Sequence, residues 1–513
     1  MNILTSHKRI LTVANVIVVA GLIFLYHFGF LSSISLIEFS IAVAVIFAVA
    51  LYNPIIAFVL FVGVIPLEII DISTNNIDLM VRPYQLIGVI LFVAVVLRKA
   101  VGNSMQRFML WNIFDTFIGL FVLIGFINIL FIDTQASAKQ TIVVASFAFL
   151  YYITRIFVRN KKDILALFPI IISSGVVISL YAIAQNILYK SGGNHMEIMP
   201  GRPNATFAEP DWLGVYIVFL IATALAYLYY NTYHKHIWKF FDIALFGTMT
   251  IFFTALIITV ARSAWVGVAA VIIVYGIMLF FQKKYKLFAK HVFWIFSTAL
   301  LGLIIVFAFS LTTFELGNRL QSTNTGLQEI TISCVSNGQA QGTIPTKIND
   351  VSELTQYNCR HINLEEIDSE ISIGNEVIKI HRIDPNISVR TDVYNQVLEK
   401  IKLKPWFGYG WGSSNKILGN DESGTPLNAS NIFLETTLSI GILGVIMLIM
   451  FFCTVSIFAI KVLKISTNMR EKSVAIFALL GVVAIIVPNL FNAGLLLGFV
   501  WVFFGSIAIL RKM

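Results

Sequence analysis

The chain is dominated by apolar stretches of about 20 residues that follow one another with little polar sequence between them. A helix of that length spans the ~30 Å hydrocarbon core of a bilayer. Inside that core every backbone N–H and C=O must find its partner within the protein, which leaves helices or closed barrels as the spanning structures. Barrel strands run ~10 residues with alternating polarity, and that pattern does not recur here. With 58% hydrophobic and 12% charged residues, the composition lies far from the ~25% charged content of soluble domains. The fold class is therefore an all-α polytopic membrane protein.

A window of about 19 residues predicts about 14 spans, near 10–30, 34–52, 54–70, 82–98, 113–132, 140–158, 164–189, 212–230, 239–260, 263–281, 288–312, 431–460, 472–489 and 491–510. Two tight junctions, Asn53-Pro54 and Ala261-Arg262-Ser263, are either reversals or helix breaks, which leaves the expected number at 12 to 14. No small-x-small cleavage site follows Phe30, so the first span is expected to stay as an anchor rather than leave as a signal. Basic residues in short loops are retained on the cytoplasmic side. With both termini cytoplasmic, the clusters at Lys8-Arg9, Arg98 to Arg107, Arg155 to Lys162, Lys235 and Lys239, Lys283 to Lys290, Lys461 to Lys472 and Arg511-Lys512 all fall inside. Of the 36 Lys+Arg, 21 are then cytoplasmic against 4 of the 27 Asp+Glu. The net +9 is thus an orientation signal, and no nucleic-acid partner is implied.

Three regions follow: transmembrane helices in 1–312, an external loop domain in 313–427, and the last transmembrane helices in 428–513. The first half of the loop is strand-rich: Glu329 to Val335 alternates, and Ile371 to Ile380 reads as a hairpin around Gly374-Asn375. Cys334 and Cys359 are either free thiols or a disulfide, worth roughly 3 kcal/mol in the chain-entropy model if closed. From Val389 the apolar positions 389, 393, 397 and 401 repeat every four residues, predicting an amphipathic surface helix over 389–403 that stops before Pro405.

Charged residues at membrane depth are the ones to question, because each is expensive there. Arg262 sits between two apolar runs; it either snorkels from a short external turn or offers its donor fork to a pyrophosphate. The run Gly201 to Gly214 gathers Arg202, Glu209 and Asp211 immediately before an apolar helix. Asp211 has an ordinary role at a helix start; Arg202 and Glu209 do not. Arg390 lies on the expected amphipathic helix, where the ordinary role is a solvated or headgroup-facing residue. No P-loop, zinc spacing or nucleophile elbow is present in the sequence, and the cytoplasmic loops are too short for a nucleotide-binding domain.

Taken in order, Arg202 to Gly214, Thr259-Val-Ala-Arg262-Ser263, Arg390 to Leu398, Pro405-Trp-Phe-Gly-Tyr-Gly410, Asn428-Ala-Ser-Asn431-Ile-Phe-Leu-Glu435 and Gly441-Ile-Leu-Gly444 resemble the O-antigen ligase and polymerase superfamily over about 201–458. The resemblance implies an integral glycosyltransferase of the C-type architecture in the bacterial cytoplasmic membrane, with no cofactor and no metal in the ligase mechanism. The implied donor is an undecaprenyl-diphosphate-linked glycan. The acceptor is a lipid A-core sugar in ligases, another lipid-linked repeat unit in polymerases and a protein hydroxyl in related enzymes. Arg262 and Arg390 match the family's diphosphate-contacting arginines, and Arg202 matches a basic position in the earlier external loop. Where the family carries a histidine before asparagine as the proposed base, this chain has Ser430-Asn431. Glu209, Asp211 and Glu435 are the substitute candidates, with His381 more remote, and polymerase is favoured over ligase. The segment Thr323 to Glu376 looks like an insertion. A multi-span transporter or flippase, or a non-catalytic relative in an envelope-assembly complex, are the competing readings.

Overall fold

A computed structural model describes residues 8–31, 34–74, 80–102, 111–131, 135–199, 201–233, 239–311, 326–335, 345–349, 351–362, 367–383, 385–420 and 427–512. Arg107 and Lys235 of the basic loops, and the points Thr313 and Thr323 where the loop domain and its insertion are expected to begin, lie outside the described residues. The chain forms two compact units, Met1–Thr313 with Leu403–Met513, and Phe314–Lys402.

The first unit is helical: α1 (Lys8–His27), α2 (Leu36–Tyr52), α3 (Pro54–Gly63), α4 (Pro83–Ala100), α5 (Ile113–Phe131), α6 (Gln135–Phe157), α7 (Lys161–Lys190), α8 (Pro210–Tyr233), α9 (Lys239–Ile258), α10 (Arg262–Phe281) and α11 (Tyr285–Ala308). Among the described residues, ten helices are long and apolar enough to cross a membrane: α1, α4 to α8, α10, α11 and, beyond the second unit, α15 (Ile432–Ile465) and α16 (Met469–Asn489). Four more apolar helical stretches are shorter: α2, α3, the part Asp242–Ile258 of α9, and a final helix, α17 (Gly498–Ile507). This is a multi-pass membrane protein. Of these ten long helices the most enclosed is α8, whose residues from Leu213 to Leu228 are nearly all buried against α7, α9, α10 and α16. By contrast α1 and α11 turn Ile10, Ile17, Phe293, Phe296 and Phe307 outward, as a lipid-facing surface allows.

Local chemistry sets the boundaries. Ser35 and Glu38 close a capping box on α2, and Asn160 with Asp163 closes another on α7. At the first tight junction Asn53 ends α2 and begins α3, its side chain accepting from the Ile55 N–H, with Pro54 in the first turn. The span expected over 54–70 is shorter than its hydropathy indicated: α3 stops at Gly63, and the following segment is non-helical although largely buried. Its backbone is satisfied from elsewhere, with the Glu68 and Ile69 N–H groups donating to the Thr206 carbonyl and the Thr206 hydroxyl donating to the Pro66 carbonyl. The last expected span, 491–510, likewise becomes helical only at Gly498, because Asn489 turns the chain by accepting from the Gly494 N–H.

Helix α15 is broken inside the membrane stretch. Ile440 and Gly441 leave helical geometry, with φ +72° at Gly441. The carbonyls released by the break accept from a turn formed by residues 404–412: Tyr409 N–H donates to Leu438, Gly410 N–H to Ser439, and Ile442 N–H returns to Pro405, each at 2.8 Å. Asn128 on α5 donates to the carbonyls of Phe407 and Ser439. A Cβ on Gly441 would sit 2.1 Å from the Trp406 carbonyl oxygen, and one on Gly408 would sit 2.5 Å from that of Leu438. The glycines at 408 and 441 are thus where two backbones meet. At the opposite end of the bundle, Asp115 on α5 receives Arg155 (3.0 and 3.1 Å), the Tyr151 hydroxyl (2.7 Å) and the Asn112 N–H (2.7 Å) in a fully buried cluster.

The second unit is built on a four-stranded sheet of order β2-β4-β1-β3, with β1 Leu327–Cys334, β2 Lys347–Ile348, β3 Cys359–His361 and β4 Glu376–Ile383. Strand β1 pairs antiparallel with both β4 and β3, and its end sets Cys334 opposite Cys359, which are joined by a disulfide. Ile330, Ile332, Ile348, Leu354 and Ile380 form the small core. The hairpin expected at 371–380 does not form. Residues Ile367–Ser372 are a short helix, α12, and only the second half is strand, paired with β1. Glu370 explains the departure: it accepts from Ser333, Arg360 and Asn375, which holds α12 against the sheet end. Helix α13 (Pro385–Leu403) begins four residues before the predicted start, and the short helix α14 (Ser414–Leu418) follows it in the chain.

Candidate functional site

The segment before α8 is a buried, polar loop with little regular structure. Gly201 and Ala205 both adopt positive φ, at 75° and 47°. The strained Ala205 is held by its N–H donating to Gln185 Oε1 at 2.7 Å, while Asn204 donates to the Phe207 carbonyl at 2.6 Å. This anchoring fixes Arg202 and the residues that open α8. The Arg202 guanidinium donates from Nε to the Thr259 carbonyl at 3.1 Å and from Nη2 to Asp211 Oδ1 at 3.4 Å. Glu209 lies beside this pair, its carbonyl receiving the N–H groups of Trp212 and Leu213. Burial first, and the nearby Asp211 charge second, push the Glu209 carboxyl up to about 7, against the pull of Arg202. Glu197, earlier in the same loop, is also pushed up to about 7 by burial, although it accepts from the Gly201 N–H.

The second tight junction meets this loop. Val260 takes φ 52°, and α10 starts at Arg262. A Cβ on Gly214 would lie 2.8 Å from that of Ala264 and 2.9 Å from that of Ala261, so the starts of α8 and α10 are in contact. Asn492, in the loop after α16, donates to Ser263 Oγ at 2.9 Å. Asn431 caps α15 by accepting from the N–H groups of Phe433 and Leu434, and donates to the Leu490 carbonyl at 3.0 Å. Arg202, Glu209, Asp211, Arg262, Asn431 and Glu435 are therefore all carried by one end of the first unit. Arg390, on α13, and His381, on β4, belong to the second unit.

A cavity of about 520 Å³ opens among the starts of α6, α8 and α15, the Trp411 turn, and the loop before α17. Its walls combine the indoles of Trp212 and Trp411 and the apolar run Leu495 to Leu497 with Gln140, Ser414, Asn415, Asn428 and Glu435; Lys139 is its cation. Glu435 projects from the first turn of α15 and accepts from the Ala429 N–H at 2.9 Å and from the Ser414 hydroxyl. Ser430, at φ 46°, is turned by its N–H donating to Asn428 Oδ1. Among the described residues that line the cavity, Glu435 is the candidate from sequence; Arg202, Glu209, Asp211, Arg262 and Ser430 are not in its wall. Sequence reading passed over Lys139, Gln140, Trp212, Trp411, Ser414, Asn415 and Asn428. Trp212 and Asn428 do lie within runs that the sequence singles out, Arg202 to Gly214 and Asn428 to Glu435, and Trp411 directly follows Pro405 to Gly410; Lys139, Gln140, Ser414 and Asn415 carry no such signal, because they come from elements separated in the chain.

Residues 246–449 match the family model for O-antigen ligase. That span includes Arg262, Arg390, Ser430-Asn431 and Glu435, and leaves Arg202, Glu209 and Asp211 outside it. A protein of Rickettsia felis, provisionally named a polysaccharide ligase, is 30% identical over 129 residues, which cover 23% of this chain and 31% of that relative. The match thus spans about a third of the relative's length. Residues 246–449 of this multi-pass helical membrane protein are thus similar to the O-antigen ligase family.

Proposed function

We propose that this chain is an integral membrane glycosyltransferase that takes glycan from an undecaprenyl-diphosphate carrier on the outer face of the bacterial cytoplasmic membrane and adds it to a second lipid-linked glycan. The observation that carries this reading is Glu435: a carboxylate from the family-matched segment standing in the wall of a polar-and-aromatic cavity of about 520 Å³. That volume falls within the ~300–1,000 Å³ usual for small-molecule sites.

In this reading Glu435 removes the proton from an acceptor sugar hydroxyl. The hydroxyl oxygen attacks the anomeric carbon of the donor sugar, and the bond from that carbon to the diphosphate breaks with its electron pair leaving on the lipid diphosphate. Arg262 and Arg202 supply guanidinium charge for that leaving group. Ser430 has no useful basicity near neutral pH, so a carboxylate takes the part expected of the family histidine. Polymerisation is preferred to ligation for the same reason. The test is purified protein incubated with lipid-linked repeat units. Longer lipid-linked chains support polymerisation, product formed only with a lipid A-core acceptor means ligation, and no turnover removes the glycosyltransferase reading in favour of a transporter or a non-catalytic partner.

A further inference from the structure

The lining of the cavity says more about its occupant than the family does. A polyprenyl tail would set the side-chain amides of Gln140, Asn415 and Asn428 against hydrocarbon that offers them no hydrogen bond, a cost of at least ~1 kcal/mol for each group left without a partner. A diphosphate is equally unsuited, because Lys139, the one cation among the described lining residues, shares the cavity with the carboxylate of Glu435. Arg202 and Arg262 belong to the neighbouring cluster rather than to this wall. A sugar ring satisfies both kinds of surface at once, since its C–H faces are apolar and its rim carries hydroxyls that donate and accept. Trp212 and Trp411 present indole rings, and Trp411 is fixed in place, 4% exposed, by Phe121 at 5.8 Å and by Gly125.

We propose that this cavity is the acceptor-sugar subsite, physically separate from the arginine cluster that takes the diphosphate. Trp212 and Trp411 bracket the sugar ring; Gln140, Asn415 and Asn428 read its hydroxyls; Glu435 receives the proton of the one that reacts. The assignment rests on the glycosyltransferase reading for the word acceptor, but the sugar-binding part of it is testable without chemistry.

The experiment uses full-length protein in nanodiscs and, as probe, the lipid-free oligosaccharide released by mild acid from the cell's own surface polysaccharide, with binding followed by saturation-transfer NMR and calorimetry. Binding in the millimolar range or tighter is expected, weakened about 10-fold by Trp212→Ala and about 3- to 10-fold by Gln140→Ala, the size of one hydrogen bond. Asn428→Asp removes the amide donor while retaining the oxygen that turns Ser430, so it separates loss of a sugar contact from loss of the loop; a similar weakening is expected. Arg262→Ala is expected to leave oligosaccharide binding within about 2-fold of the parent. The subsite is overturned if the probe does not bind, if binding ignores all three cavity substitutions, or if sugar-free undecaprenyl diphosphate displaces the probe competitively. If the probe binds as described while Arg262→Ala leaves chain elongation intact, the transferase reading fails and the sugar subsite stands.

Discussion

The Arg202 guanidinium reaches across 57 residues of sequence to the Thr259 carbonyl, at 3.1 Å. That bond ties the loop before α8 to the junction that leads into Arg262, and makes two clusters that are separate in sequence into one corner of the bundle. Because the acceptor is a backbone carbonyl, the link depends on Arg202 alone. Replacing Arg262 with Ala is expected to lower the rate of glycan transfer by about 10²- to 10³-fold, the usual effect of removing one fixed donor to a developing charge. Arg202→Lys keeps the charge and loses the fork that serves Thr259 and Asp211 together, so only partial recovery over Arg202→Ala is expected. Elongation of lipid-linked repeat units by purified variants measures both.

If the corner around Arg202 takes the donor diphosphate as proposed, Glu209 is expected to make donor binding pH-sensitive. Its carboxyl is pushed up to about 7, so it is largely protonated below neutrality and gains a negative charge beside Arg202 above it. Donor KM is therefore expected to rise as pH passes upward through 7, and Glu209→Gln should flatten that dependence. Asp211→Asn removes a charge that raises the Glu209 value and should move the midpoint to lower pH. An activity that instead rises through pH 7, and loses that rise in Glu209→Gln, would make Glu209 the base in place of Glu435.

The meeting of Gly408 and Gly441 leaves no room for a side chain. Gly441→Ala combines a positive φ, costing more than ~1 kcal/mol by itself, with a Cβ 2.1 Å from the Trp406 carbonyl oxygen. It should lower the thermal midpoint of the detergent-solubilised protein and loosen the 404–412 turn that carries Trp411. Gly444→Ala is the informative contrast, since its Cβ would press on the Ile440 side chain rather than on backbone. A midpoint lowered as much by Gly444→Ala as by Gly441→Ala would sink the backbone-contact argument.

The Asp115–Arg155 pair is buried on both sides, at 0% and 4% exposure. Removing one partner, as in Arg155→Met, leaves an uncompensated charge and is expected to cost about 3–5 kcal/mol; the double replacement Asp115→Leu with Arg155→Met should cost less than either single change. A thermal-shift series on the four proteins decides it.

In the second unit, the Cys334–Cys359 bridge closes a loop of separation 25, worth about 3 kcal/mol in the chain-entropy model. Replacing both cysteines with Ser should make the Phe314–Lys402 unit markedly more sensitive to limited proteolysis, with helices α1 to α11 remaining resistant.

Much of the scaffold was legible in the sequence because the bilayer imposes it. Long apolar stretches must be helical whatever they pack against, so the helices stand where hydropathy indicated them. The short polar run Arg202 to Asp211 stands out for the same reason, as costly groups beside an apolar helix, whereas Asn428 to Glu435 stands out only through the family resemblance. Hydropathy misjudged 64–70, which is apolar and largely buried but not helical because Thr206 satisfies part of its backbone, and 491–497, where Asn489 turns the chain by accepting from the Gly494 N–H. Periodicity misjudged 371–380, where the bonds made by Glu370 outweigh strand propensity. Which candidate carboxylate stands in a cavity, and which beside an arginine, was decided by tertiary structure alone. Glu209, Asp211 and Glu435 are equivalent as letters, and only the packing of α6, α8, α15 and the Trp411 turn gives Glu435 a chamber and leaves Glu209 against Arg202. Sequence determines what the membrane will accept; the cavity exists only where elements distant in the chain meet.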